Sequence, residues 1–141
     1  MPVVLFLQAR GLLHAQKVCP ACGAHMTRGA DPTYFDNISW RCARPCRKRI
    51  GIRSGTFFEQ WKDTKFGILL RLIFKWTLGP TVAAVAQEMS LDRRLVARMF
   101  DSLRHCCGQK LRRNPVALGT ANFVVQIDES MFHHKQRYDE M

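Results

Sequence analysis

Four cysteines in two close pairs constrain this chain more than any other feature. Cys19-Pro20-Ala21-Cys22-Gly23 holds the first pair, and Cys42-Ala43-Arg44-Pro45-Cys46 holds the second, 19 residues later. Two residues between thiolates, followed by glycine, let the backbone wrap one metal ion in a tight knuckle whose amides point at the sulfurs. The spacing predicts a tetrahedral structural Zn²⁺ site with Cys19, Cys22, Cys42 and Cys46 as ligands, each pair on the turn of a small β-hairpin. The second pair is separated by three residues instead of the more usual two, which enlarges its turn. A disulfide framework is the competing reading, and the sequence disfavours it. Val3 to Leu7 gives only five apolar residues with no preceding Lys or Arg, a poor signal peptide. A thioredoxin-like redox pair would use Cys19 and Cys22 and leave the second pair idle. His25 is a substitute ligand in principle but reads as a surface residue. Cys106 and Cys107 are adjacent, about 100° apart on a helix, so they chelate poorly and read as core or incidental thiols.

Residues 14–58 contain too few large apolar side chains to fold alone, so a metal would supply folding free energy there. The same stretch is the most basic part of the chain: Arg41, Arg44, Arg47, Lys48, Arg49 and Arg53 fall within thirteen residues. Arg47 to Arg53 is expected to continue the second hairpin as a strand, placing cations beside the metal, where they would contact phosphate without reading sequence. Over the full 141 residues, 22 Lys+Arg oppose 11 Asp+Glu, a formal net charge of +11. That charge belongs to residues 1–113, because residues 114–141 hold two Lys/Arg and four acids. A basic, soluble, intracellular protein with a polyanionic partner follows. No run approaches about 18 uninterrupted apolar residues, which excludes a membrane span. The composition also excludes a disordered or collagen-like chain.

The middle of the chain reads as helical. Ten large apolar residues between Trp61 and Leu78, Phe74 and Trp76 among them, predict a largely buried helix over residues 59–78 that stops at Gly79-Pro80. Thr81 caps a short helix with an apolar stripe at Val82, Val85, Ala86 and Met89. Ser90 falls at a turn, Leu91 plugs the core, and Asp92 caps a second helix running to about Cys106. A small residue at Ala86, a turn at Ser90 and a β-branched residue at Val96 reproduce the spacing of a DNA-binding helix-turn-helix. In that geometry Arg93, Arg94 and Arg98 face the major groove, and Arg104 is better placed for phosphate. A plain helical hairpin with Arg on its outer face competes with this reading.

Asn122 to Ile127 reads as a buried strand that delivers Asp128 and Glu129. An acid there suits two-metal phosphoryl transfer, and it suits an ordinary strand-terminal turn equally well. The whole order now resembles a known family. Trp40-Arg41-Cys42, Cys46-Arg47-Lys48-Arg49, Ile52-Arg53-Ser54-Gly55-Thr56-Phe57-Phe58-Glu59, the helix-turn-helix spacing and Val125-Gln126-Ile127-Asp128-Glu129-Ser130 look like the ISXO/Merlin-type cut-and-paste transposases. The resemblance covers essentially the full chain. Its most specific parts are the Arg-Ser-Gly-Thr-Phe-Phe and Ile-Asp-Glu-Ser stretches.

That resemblance implies an α+β chain in three parts: an N-terminal helix and zinc ribbon in residues 1–58, a helix-turn-helix bundle in 59–113, and the first strand of a truncated RNase H-like domain in 114–141. It makes Asp128 the first acid of a DDE-type triad. The other two acids have no counterpart in the thirteen residues after it. The expectation is therefore a DNA-binding, zinc-containing fragment, catalytically incompetent alone, with Arg47, Lys48, Arg49, Arg93, Arg94, Arg98 and Arg104 on DNA. Its DNA would be transposon ends or related sites; a homodimer stays open, and so does the nucleus of a eukaryotic host. Mg²⁺ enters only with a complete catalytic domain. The alternatives are an incomplete gene model of an active transposase carrying out metal-dependent strand transfer, or a host transcriptional regulator derived from one.

Overall fold

The computed structural model describes residues 2–115, which form an α+β arrangement of four helices and one four-stranded antiparallel sheet. Helix α1 (Pro2–Ala9) is followed by strands β1 (Lys17–Val18), β2 (His25–Ala30), β3 (Ile38–Arg41) and β4 (Arg49–Gly51). A 3-10 turn at Phe57–Trp61 leads into α2 (Phe66–Thr77), α3 (Val82–Met89) and α4 (Arg93–Arg113). The expected strand of residues 122–127 and Asp128 lie outside the described residues.

The sheet is a meander with order β1-β2-β3-β4, so every ladder joins sequence neighbours. Thr27 faces Arg41 and Trp40 faces Ile50, which turns Trp40 and Met26 into the core. Strand β4 stops at Gly51, shorter than the expected run to Arg53, because a turn closed by Ser54 N–H on the Gly51 carbonyl follows at once.

The helices begin and end as their local chemistry dictates. Pro2 occupies the first position of α1, where a missing N–H costs nothing. Residues 59–65 depart from the expected long helix. The Thr56 hydroxyl caps the 3-10 turn by accepting from Phe58 N–H, and the chain turns again through Asp63 and Thr64 before α2 starts. Gly79, at φ +77°, and Pro80 end α2 as its sequence requires. The Thr81 hydroxyl accepts from Ala84 N–H at 3.2 Å and caps α3. Ser90 adopts the left-handed conformation at the end of α3, and Leu91 N–H closes back onto the Ala86 carbonyl at 2.9 Å. The Asp92 carboxylate then accepts from Arg94 N–H at 2.6 Å and caps α4. Helix α4 runs 21 residues, seven past the expected end at Cys106.

One hydrophobic cluster holds sheet and helices together. Met26, Ile38, Trp40 and Ile52 share it with Leu7 of α1, Leu69 and Leu72 of α2, Val85 of α3 and Val96, Met99 and Phe100 of α4. The chain divides into two units, Met1–Leu103 and Arg104–Met141, where the sequence suggested boundaries after residues 58 and 113. Two expectations for the core need correction. Phe74 and Leu78 are each 61% exposed, because α2 buries only the face of Phe66, Leu69 and Leu72. Cys106 and Cys107 are also exposed, so neither is a core thiol. No described helix is long and apolar enough to cross a membrane.

Candidate metal centre and its basic surroundings

The two inter-strand loops 19–24 and 42–48 fold into matching knuckles. In the first, Cys19 N–H bonds the Ala24 carbonyl at 2.8 Å and Gly23 N–H returns to the Cys19 carbonyl at 2.9 Å. Gly23 sits at φ +72°, a conformation glycine adopts without strain. In the second, Cys42 N–H bonds the Lys48 carbonyl at 2.9 Å and Arg47 N–H bonds the Ala43 carbonyl at 3.1 Å. Arg47 takes the left-handed place (φ 52°) that a glycine fills in the first knuckle. The extra residue of the second pair lies between its cysteines, so the returning bond there reaches Ala43 and not Cys42.

The knuckles bring Cys19, Cys22, Cys42 and Cys46 together, with all four sulfurs within 4.8 Å of one another. Cys22 Sγ lies 3.4 Å from Cys42 Sγ, and Cys19 Sγ lies 3.7 Å from Cys46 Sγ. None of the four is in a disulfide. Metal–sulfur bonds of about 2.3 Å in a tetrahedron place sulfurs about 3.8 Å apart, so the cluster has the size of a four-thiolate site. His25 is exposed and stands outside the cluster.

Thiol chemistry makes the same case. The Ala21 amide hydrogen-bonds the Cys19 sulfur, and with help from the Cys22 amide it brings that thiol down to about 6 despite burial. Hydrogen bonding with Cys22, then burial, pushes the Cys42 thiol up to about 12. The Lys48 amide acts on Cys46 in the lowering sense, yet the Cys19 sulfur and burial leave its thiol above the ordinary value. Without a cation the cluster favours the Cys19 thiolate and penalises those of Cys42 and Cys46. A divalent cation removes that penalty, because it holds all four sulfurs ionised at once. The cluster can therefore hold a metal ion, as its spacing predicts.

The cations expected to face DNA differ in exposure and in the partners they hold. Arg44, Arg47 and Lys48 are exposed on the second knuckle, and Arg93, Arg94 and Arg98 are exposed on the first turns of α4. The Arg98 guanidinium lies 5.1 Å from the centre of the Trp61 ring. Arg104 is exposed and belongs to the second unit. Arg41 and Arg49 are shared with Asp31, at 3.7 and 3.5 Å. Arg53 corrects the expected basic face, since it is 5% exposed and faces inward. Its guanidinium bonds both oxygens of Asp36, at 2.6 and 2.5 Å, and donates to the Trp61 and Thr64 carbonyls while lying 4.1 Å over the Phe66 ring.

Sequence reasoning missed both acids of this network. The signal was available: Asp31 and Asp36 are the only acids among residues 1–58, and each is committed to arginine. Asp31 is 1% exposed and accepts from the Ser39 and Thr33 hydroxyls at 2.7 Å each. Those hydroxyls, with a smaller contribution from Arg49, hold its carboxyl at about 2, below the ordinary 3.8. The fold favours the ionised form, so this stabilisation is complete above about pH 4 and is lost as pH falls through about 2. We expect D31N to lower the urea midpoint at pH 7. The gap to the unmodified chain should hold down to about pH 4 and close below it. Both proteins keep the same four thiols, so acid release of a bound metal cancels in the comparison. A gap unchanged to about pH 3 would contradict the assignment.

No protein-family model, no curated protein and no solved structure matches this chain.

Proposed function

We propose that this chain is a zinc-stabilised DNA-binding module. In this reading the sheet and its knuckles are a zinc ribbon. The α3–α4 pair is a helix-turn-helix, and α4 is the helix that enters the major groove. The observation that carries it is the turn between those helices. Left-handed Ser90, partly buried Leu91 and the Asp92 cap join the two helices in three residues and leave Arg93, Arg94 and Arg98 exposed at the start of α4. A recognition helix contacts bases through its N-terminal residues, and arginine pairs bidentately with guanine. The excess of 22 basic over 11 acidic residues supplies the attraction for phosphate. Zinc is the proposed metal because four thiolates in a tetrahedron suit it, with iron the other ion of that preference. The resemblance to ISXO/Merlin-type transposases supports DNA as the polyanion and transposon ends as the sites. Strand transfer with Mg²⁺ would need Asp128, which lies outside the described residues.

The test is affinity for duplex DNA as a function of salt, with the metal content of the same sample measured. One zinc per chain is expected. Log affinity should fall linearly with log salt, at about 0.9 per phosphate neutralised. R93A/R94A should weaken binding to a selected site by about 1–3 kcal/mol and relax its sequence preference. A flat salt dependence in the metal-loaded protein would remove the proposal.

A further inference from the structure

A cleft of about 560 Å³ opens beside β4, between the first knuckle at Pro20 and the 3-10 turn that carries Glu59 and is followed by Lys62. Tyr34 and Gly51 line its wall. The half-buried Tyr34 ring approaches the strand so closely that a Cβ at Gly51 would sit 3.1 Å from it. Any larger residue there would push the ring away, so Gly51 keeps an aromatic surface in the cleft.

The charges lining the cleft differ in how they are engaged. Both faces of the Arg53 fork are held by Asp36 and backbone carbonyls, and Arg49 leans on Asp31. Glu59, the one acid among the lining residues, accepts the Gly55 N–H at 2.9 Å. Lys48 and Lys62 are exposed, and among the described residues neither has an ion-pair partner. Two ammonium groups without ion-pair partners, one carboxylate and an aromatic ring therefore share one concave site of ligand size, with lysine in excess. Lys62 follows Trp61, whose ring carries the Arg98 guanidinium at 5.1 Å.

We infer that this cleft binds a phosphate-bearing ligand, the phosphodiester of a nucleic acid, with Lys48 and Lys62 on phosphate and Tyr34 against the attached sugar or base. The phosphate chemistry follows from the cleft itself, and its nucleic-acid source rests on the function proposed above. A free nucleotide offers the same chemistry. Lysine recognises phosphate as a point charge, and an aromatic face takes any base without reading it.

The experiment compares the metal-loaded chain with Lys48→Gln/Lys62→Gln and with Tyr34→Leu. Binding of a duplex, of a single-stranded oligonucleotide and of AMP is measured across a salt series. The double lysine variant should keep its metal and lower the salt slope on the duplex and the single strand by about 1 to 2, the loss of one to two phosphate contacts. Tyr34→Leu should weaken single-strand binding about tenfold. Unchanged slopes in the double variant, with salt-dependent binding by the unmodified chain, overturn the cleft and leave the DNA-binding function standing. AMP binding that the lysine changes abolish, with no binding of either polymer, keeps the phosphate site and overturns the function. Absence of all three overturns both.

Discussion

Chelating the metal is expected to abolish the cooperative unfolding transition of this chain, and replacing Cys42 with alanine is expected to do the same. The sheet cannot be held by its ladders alone, since β1 has two residues and β4 has three. Its buried side chains do not form a separate core, because Trp40 and Ile38 belong to the same cluster as the helices. Structural zinc in small domains contributes about 10–16 kcal/mol, as much as the whole stability of a typical domain. Cys19 and Cys42 are members of that shared cluster, so losing the metal disturbs helix packing as well as the knuckles. Calorimetry and near-ultraviolet circular dichroism before and after chelation are the measurements. C107S is the control, since Cys107 is exposed and lies outside the four-sulfur cluster. A chelated chain that melts at the same temperature as the loaded one would overturn the assignment.

Arg53→Ala is expected to cost about 3–5 kcal/mol, because it strands a largely buried Asp36 carboxylate and removes the donor for two backbone carbonyls. Its role is a matter of position. Arg53 follows the last strand, Asp36 sits in the β2–β3 connection, and Thr64 and Phe66 flank the start of α2. One guanidinium therefore ties the sheet to the helices. Arg53→Lys should recover little, since an ammonium cannot span two carboxylate oxygens and stack flat on Phe66 at once. Urea titration of both variants, each loaded with the same metal ion, reads the effect. A lysine variant as stable as the unmodified chain would show that charge alone suffices.

What the sequence revealed, and what it hid, follows from how local each determinant is. Each knuckle was legible because the spacing of two cysteines along a few residues decides its turn, and the preference of thiolates for a shared metal ion linked the two pairs across 20 and 27 residues. The caps at Thr81 and Asp92 were legible for the same reason, since each bonds an amide two or three residues on. Arg53 was illegible: within a basic run it looks like its solvated neighbours, and its partner lies 17 residues away. The exposure of Phe74 and Leu78 was hidden as well. An apolar helix does not announce which face its neighbours cover. The reading of Asp128 as a catalytic acid rests on residues outside the described part of the chain and stays a proposal.

The meander order of the sheet bears on how fast the molecule can be made. Its three ladders are closed by connections of six or seven residues, and short closures of this kind carry little entropic delay. Each knuckle is therefore a half-site shaped by local backbone bonds that bring two cysteines onto one turn. The β2–β3 ladder sets the two half-sites side by side, and an ion held by all four sulfurs would then tie them together. With such an ion, completion of the fold would become a capture reaction, timed by metal supply more than by the chain's own search.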